Sequence, residues 1–356
     1  MNKSHDRAGR DHGFCGFLQG RLFQVRLHEP DTIALRRSEV DLENICLAVH
    51  GGAGTIASDA MDQEASAAHH EGLRAALRAG LAVLLGGGPA VDAVCAAVAV
   101  MEDDMLFNAG RGAVFTSAGQ LEMDVAVMDG CDRRCGAVAG ICGPQNPIFL
   151  ARALMESGGP VFLTGRGAED FARAAGLGFQ PAGYFETARR RDALALELAR
   201  RAAGAPDTRS DADRHGTVGA VARDAAGFLA AGTSTGGMTG KAPGRVGDTP
   251  VIGAGTLADD VCAVSCTGTG EVFIRFTAAA EIAARLRYGG QRLEQAAEEV
   301  VAELAAHGGD GGLIALARVG PPVLPFNSNG MYRGWVTAEG VMRTAIHRER
   351  FLQAVA

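Results

Sequence analysis

The chain has no excess of positive charge. Its 356 residues carry 34 Lys and Arg against 41 Asp and Glu, a formal net charge of −7, so it offers no basic footprint for nucleic acid. It also has no CxxC pair. Eight cysteines are scattered through apolar or glycine-rich stretches, and the nearest group, Cys131, Cys135 and Cys142, has no histidine among it. They read as reduced core thiols of a cytoplasmic protein rather than a zinc site or a disulfide framework. The first 40 or so residues lack the apolar core of a secretory signal. No apolar run is long enough to span a bilayer: the stretch 79–101 is broken by Gly86-Gly87-Gly88-Pro89 and splits into two buried helices. Trp and Tyr are scarce at one and three, whereas glycine, at 50, is abundant. Tight turns and close backbone approach are therefore expected.

The pattern of elements is α+β. An apolar strand is expected over 45–50, stopped by glycines, then helices over 62–85 and 90–102, and a hairpin of strands over 113–116 and 122–128. Helices follow over 147–156, 168–175 and 191–201. Residues 202–216 are rich in Gly, Pro, Asp, Ser and Arg, which makes them an exposed linker. Strands over 218–222, 228–232 and 261–266, helices over 272–288 and 293–307, and strands over 312–317 and 342–345 complete the order. Such an order describes sheets covered by helices instead of a plain parallel series. Residues 1–43 read as a polar extension outside the fold.

The linker ends at Gly216-Thr217, and a buried strand begins at once. A threonine so placed becomes a nucleophile with its own base if the chain is cut before it, because a free α-amino group has a pKa of about 7.7 to 8.0.

Three glycine clusters need weighing. Gly52-Ala53-Gly54-Thr55-Ile56-Ala57 and Gly253-Ala254-Gly255-Thr256-Leu257-Ala258 both fit a loose dinucleotide fingerprint, but neither is followed by a second strand ending in an acid. The run from Ser234 to Ala242 misses the first Gly and last Ser or Thr of a P-loop. The hydroxyls set among glycines after Thr217, at Thr233, Ser234, Thr235, Thr267 and Thr269, instead suit the stabilisation of an oxyanion.

Seven motifs occur in order: His50-Gly51-Gly52-Ala53-Gly54; Phe107-Asn108-Ala109-Gly110; Met123-Asp124 with Met128-Asp129-Gly130; Gly216 to Ala222; Thr233 to Met238; Pro243-Gly244-Arg245-Val246-Gly247-Asp248; and Ser265 to Glu271. Together they resemble the isoaspartyl peptidase and plant-type L-asparaginase family of N-terminal nucleophile hydrolases. The resemblance implies a four-layer αββα sandwich, made as a precursor that cuts itself between Gly216 and Thr217 into an α part, 44–216, and a β part, 217–356. It also implies a dimer of αβ heterodimers acting on asparagine and β-aspartyl dipeptides.

By the same resemblance Thr217 is the nucleophile, Thr235 positions it, and Thr267 and Gly268 hold the oxyanion and contact substrate. Asn108 holds the backbone of the nucleophile. Arg245 and Asp248 grip the α-carboxylate and α-amino group of the substrate, although in a Pro/Gly loop they also fit a surface salt bridge. The main-chain carbonyls of Met101, Glu102, Asp104, Phe107, Ala109 and Arg111 would hold a structural sodium ion that the chemistry does not require. His50 reads as a structural hydrogen-bonder, and His215 as a neighbour of the cut. Glycosylasparaginase, threonine endopeptidase and an uncleaved small-molecule binding protein remain as alternatives.

Overall fold

A computed structural model describes residues 42–54, 62–205, 216–348 and 351–355. Most of the expected extension, and residues 206–215 of the expected linker, lie outside these. Residues Leu42–Asn44 form a single 3-10 turn.

The first strand, β1 (Cys46–Gly54), opens on an apolar run and then continues through His50-Gly51-Gly52-Ala53-Gly54. The sequence reading stopped it at the glycines. It goes on because a bulge between His50 and Gly52 shifts the register, so that the glycine-rich half keeps its ladder with β10 (Gly330–Thr337). On its other side β1 pairs antiparallel with β5 (Val218–Arg223), and β5 turns back into β6 (Leu229–Thr235). The turn is built on Asp224, whose Oδ1 accepts the amides of Ala226 and Phe228, each at 3.0 Å. Its Oδ2 takes the Ala90 amide at 3.1 Å, at the start of α2 (Ala90–Asp103).

Beyond β6 lie β2 (Met123–Asp129), β3 (Cys135–Ile141) and β4 (Phe162–Thr164); beyond β10 lie β11 (Val341–Ala345) and β12 (Leu352–Val355). Among the described residues the large sheet therefore runs β12-β11-β10-β1-β5-β6-β2-β3-β4. A second sheet runs β7-β8-β9, from β7 (Thr256–Ala258), β8 (Cys262–Gly268) and β9 (Gly311–Ala317).

The central strands are buried on both faces, which is why they read as nearly continuous apolar runs. Side chains alternate with period two. Leu47 and Val49 join one core with Leu73 and Leu77 of α1 (Gln63–Leu85), Val94 of α2 and Ile148 of α3 (Pro147–Glu156). Cys46 and Ala48 join another with Val264 of β8 and Leu316 of β9. That second core also takes in Phe273 of α7 (Gly270–Phe276), Ile282 of α8 (Ala278–Arg287) and Val300 of α9 (Leu293–Ala306). The chain is thus mixed α and β, with helices and a small sheet packed on a large one.

Two further expectations need correction. Residues 113–116 form no strand, only isolated bridges from Phe115 to Leu121 and from Thr116 to Lys241. The expected helix 272–288 is two helices, α7 and α8, separated at Thr277, whose φ of 45° is left-handed. The expected helix over 191–201 is α6 (Ala188–Ala202), which follows α4 (Gly165–Ala174) and α5 (Ala182–Phe185). Its Glu197 is fully buried and is clasped by Arg200 and Arg201. No described helix is long and apolar enough to cross a membrane.

Candidate functional site

Thr217 stands immediately before β5, at the middle of the large sheet, and is buried. The β5–β6 register sets Val218 opposite Ser234 and so brings Thr217 beside Thr235. Thr217 Oγ1 donates to Thr235 Oγ1 at 3.1 Å. Thr235 in turn donates to the Gly216 carbonyl oxygen at 2.9 Å and accepts the Gly237 amide at 2.9 Å. A hydroxyl has one proton, so this set fixes its direction: Thr235 gives to Gly216 and receives from the other two.

Asn108 comes from the loop after α2. Its Nδ2 donates to the Gly216 carbonyl at 2.8 Å and to the Gly237 carbonyl at 2.7 Å, while its Oδ1 accepts the Val114 amide at 3.0 Å. Two donors therefore converge on one oxygen, that of the Gly216–Thr217 bond. Donors placed in this way stabilise negative charge developing on a carbonyl under attack.

A small pocket opens beside this bond, lined among others by Thr217, Thr235, Arg245, Gly247, Asp248 and Gly268. Thr267 lies behind it, fully buried on β8; its hydroxyl accepts the Ala53 amide at 3.2 Å and keeps its own proton to donate.

Arg245 and Asp248 both line the pocket, yet the guanidinium is already engaged. Nε and Nη2 donate to the two carboxylate oxygens of Glu271, each at 2.9 Å. Glu271 closes the motif Ser265 to Glu271 and stands in the first turn of α7, a position that the motif alone does not connect to Arg245. Because the Glu271 side chain is 55% exposed, the pair is of the kind worth about 1 kcal/mol or less and gives way to a better partner. Asp248 is different. It is buried, its Oδ2 has no hydrogen-bond partner, and burial pushes its carboxyl up to about 7 against the opposing pull of its own backbone amide and Arg245. An unpaired buried carboxyl oxygen costs about 1–3 kcal/mol, a deficit that a bound ammonium group removes.

Below the pocket, Asp124 of β2 is fully buried and accepts the Gly140 amide at 2.9 Å. Lys241, from the run that only resembles a P-loop, is also buried and donates to the Glu122 carbonyl at 2.7 Å. His50 faces the other side of Thr217, with Nδ1 2.9 Å from the Thr217 carbonyl and Nε2 2.8 Å from Ser265 Oγ. Burial pushes this imidazole down to about 3, so it stays neutral. His215 lies outside the described residues.

The family model described as asparaginase matches residues 43–346. The chain belongs to the asparaginase family. It is 48% identical over 310 residues to the isoaspartyl peptidase of Salmonella typhimurium, covering 85% of this chain and 98% of that protein. It is 47% identical over 311 residues to the isoaspartyl peptidase of Escherichia coli, covering 85% and 96%. To the human isoaspartyl peptidase/L-asparaginase it is 40% identical over 299 residues, covering 83% and 94%.

The loop assigned to sodium by the asparaginase resemblance runs from the last turn of α2 to a 3-10 turn at Gly110–Gly112. Gly112 packs so closely against the carbonyl oxygens of Phe107 and Met105 that a Cβ would fill the space between them. Asp104 O and Ala109 O each accept one amide, from Phe107 at 3.2 Å and from Gly112 at 3.0 Å, and a carbonyl has two lone pairs. The Glu102 side chain turns away to the Ile148 amide at 3.0 Å, and the Arg111 guanidinium lies 5.2 Å over the Tyr184 ring. Asp104 Oδ1 stays within the turn on the Leu106 amide at 3.0 Å, and main-chain carbonyl oxygens with a lone pair to spare are ligands of the kind a hard cation takes.

Proposed function

We propose that this chain is a self-cleaving threonine amidohydrolase that releases L-aspartate from β-aspartyl dipeptides and L-asparagine; relatives named isoaspartyl peptidase and isoaspartyl peptidase/L-asparaginase support the substrate class. The observation that carries the reading is the Gly216 carbonyl oxygen held by both Asn108 and Thr235 beside the Thr217 hydroxyl. In the precursor, Thr217 Oγ1 bonds to the Gly216 carbonyl carbon as the carbon–nitrogen bond breaks, the hydroxyl proton ends on the Thr217 nitrogen, and water hydrolyses the ester.

The freed α-amino group then takes the proton of the same hydroxyl for each turnover. Thr217 attacks the side-chain carbonyl of the substrate, and Thr267 and Gly268 receive the oxyanion. The leaving amine departs, and water releases aspartate from the acyl-enzyme. Arg245 exchanges Glu271 for the substrate α-carboxylate, for which a guanidinium is the planar bidentate partner, and Asp248 takes the α-ammonium.

The same reading includes a four-layer αββα arrangement, supported by the two cores on opposite faces of β1. It divides the chain into parts 44–216 and 217–356 that stay in one fold and pair as a dimer of heterodimers. The carbonyls of Met101, Glu102, Asp104, Phe107, Ala109 and Arg111 would hold sodium, whose charge would steady the loop that carries Asn108. A cytoplasmic location accords with unpaired cysteines such as Cys46, Cys95, Cys262 and Cys266.

A denaturing gel of the purified protein tests the reading. Two bands are expected, the smaller beginning at Thr217 by N-terminal sequencing. One band that persists through long incubation, with no aspartate released from a β-aspartyl dipeptide, overturns it.

A further inference from the structure

A hydrogen-bond chain leads from Thr217 through the interior. It starts at the Thr217 carbonyl, passes through both nitrogens of His50 to Ser265 Oγ, and crosses to Thr233 Oγ1 at 2.7 Å. Thr256 Oγ1 then lies 2.7 Å from Thr233 Oγ1 and 3.0 Å from the Thr249 carbonyl. All four side chains are fully buried. They come from β1, β8, β6 and β7, so the chain stitches the two sheets together.

Its direction follows from the donors available. A carbonyl only accepts, so His50 Nδ1 carries the proton; a neutral imidazole has just one, so Nε2 accepts from Ser265. Ser265 has then spent its proton and receives from Thr233. Thr256 supplies Thr233 or turns to Thr249. Gly219 makes room for this, since a Cβ there would overlap both Ser265 Oγ and His50 Nε2.

We propose that the chain His50–Ser265–Thr233–Thr256 is a positioning device that holds the main chain of Thr217 in place relative to β8, the strand that carries Thr267 and Gly268, once the Gly216–Thr217 bond is cut. The proposal rests on the reading of Thr217 as nucleophile. Before the cut Thr217 is held by peptide bonds on both sides. Afterwards it is a chain terminus, and termini fray unless tied down. The β5 ladder begins only at Val218. The bond from His50 falls on the Thr217 carbonyl, the side of the residue that the cut leaves intact. Lost positioning of a nucleophile lowers the rate of the chemical step more than it weakens substrate binding.

The test uses full-length protein after self-cleavage, assayed with a β-aspartyl dipeptide. His50→Phe keeps a ring and loses both hydrogen bonds; kcat is expected to fall about ten-fold or more while KM changes less than two-fold. His50→Gln, which offers both a donor and an acceptor, recovers most of the loss. Should His50→Phe fail to fold or to cleave, Ser265→Ala carries the same test: it leaves the imidazole in place and removes the donor to Nε2, and kcat is expected to fall at least three-fold at unchanged KM. Wild-type kcat in Ser265→Ala, or losses that appear in KM alone, overturn the proposal. If instead the wild-type protein neither cleaves nor hydrolyses, it is the reading of Thr217 that has failed.

Discussion

Asn108 and Gly216 meet through a 2.8 Å hydrogen bond from the side-chain amide to the main-chain carbonyl, across 108 residues of sequence. The amide spends its second proton on Gly237, so it can neither rotate nor retreat without breaking two bonds. It is a fixed donor aimed at the bond before Thr217.

Removing that donor should slow self-cleavage. Asn108→Ala is expected to lengthen the life of the precursor about 10²- to 10³-fold, as loss of one oxyanion donor typically does. The intensity of the uncut band against time measures it. An unchanged rate would mean that Thr235 alone polarises the carbonyl.

Thr217→Ala should leave a single band and no hydrolysis, with a thermal midpoint close to that of the uncut wild-type chain, since only a hydroxyl and a methyl group are lost. Thr217→Ser keeps the oxygen and should retain part of both activities. Gel and aspartate-release assays separate the two variants.

Arg245→Ala should cleave itself at the normal rate, because the Arg245 guanidinium is held by Glu271 and not by Gly216 or Thr217. Its KM for β-aspartyl dipeptides should rise about 10- to 100-fold, the size of a lost hydrogen bond between charged groups. Arg245→Lys should not restore it, for an ammonium cannot reproduce the fork. Steady-state kinetics on both variants decide the point.

Asp248 makes the pH profile informative. Its carboxyl titrates near 7 in the free enzyme, and the neutral form cannot hold an ammonium group. The Thr217 amine must also be unprotonated to act as base. Log kcat/KM should therefore climb with a slope approaching two below pH 7 and flatten above about 8. A slope of one throughout would remove Asp248 from substrate binding. Stability runs the other way. A folded-state pKa raised from 3.8 to about 7 means that the native protein holds this proton more tightly than the unfolded chain, so stability from this group declines as pH rises from 3.8 through 7. Asp248→Asn should accordingly melt higher than wild type at pH 8 and show little difference at pH 4.

Much of this site can be read from short stretches, and the reason is local. Thr217, Thr235 and Asp248 sit in motifs whose glycines and hydroxyls declare tight backbone and oxyanion chemistry. Helices α2 and α3 announced themselves through Pro89 and Pro147 at their starts. What stayed hidden was long-range. Glu271 meets Arg245 across 26 residues and Ser265 meets His50 across 215, and no periodicity encodes such pairs. Strand β10 was overlooked because Arg333 and Gly334 interrupt its apolar alternation; both are buried here, the arginine by donating to the carbonyls of Met331 and His347. The extent of β1 was misjudged for a related reason: glycines that usually end a strand instead pass through a bulge.

The order of strands in the large sheet bears on how the molecule ages. Strand β1, before the cut, is hydrogen-bonded on one edge to β10 and on the other to β5, both after it, and β2 is likewise joined to β6. Neither piece alone owns the large sheet as a continuous ladder. The intact chain can find this arrangement in a unimolecular search, whereas two pieces that have come apart must first collide. Cleavage at the proposed bond would therefore leave the native contacts in place while removing the way back to them, and the lifetime of the cut protein would become a matter of how slowly it unfolds.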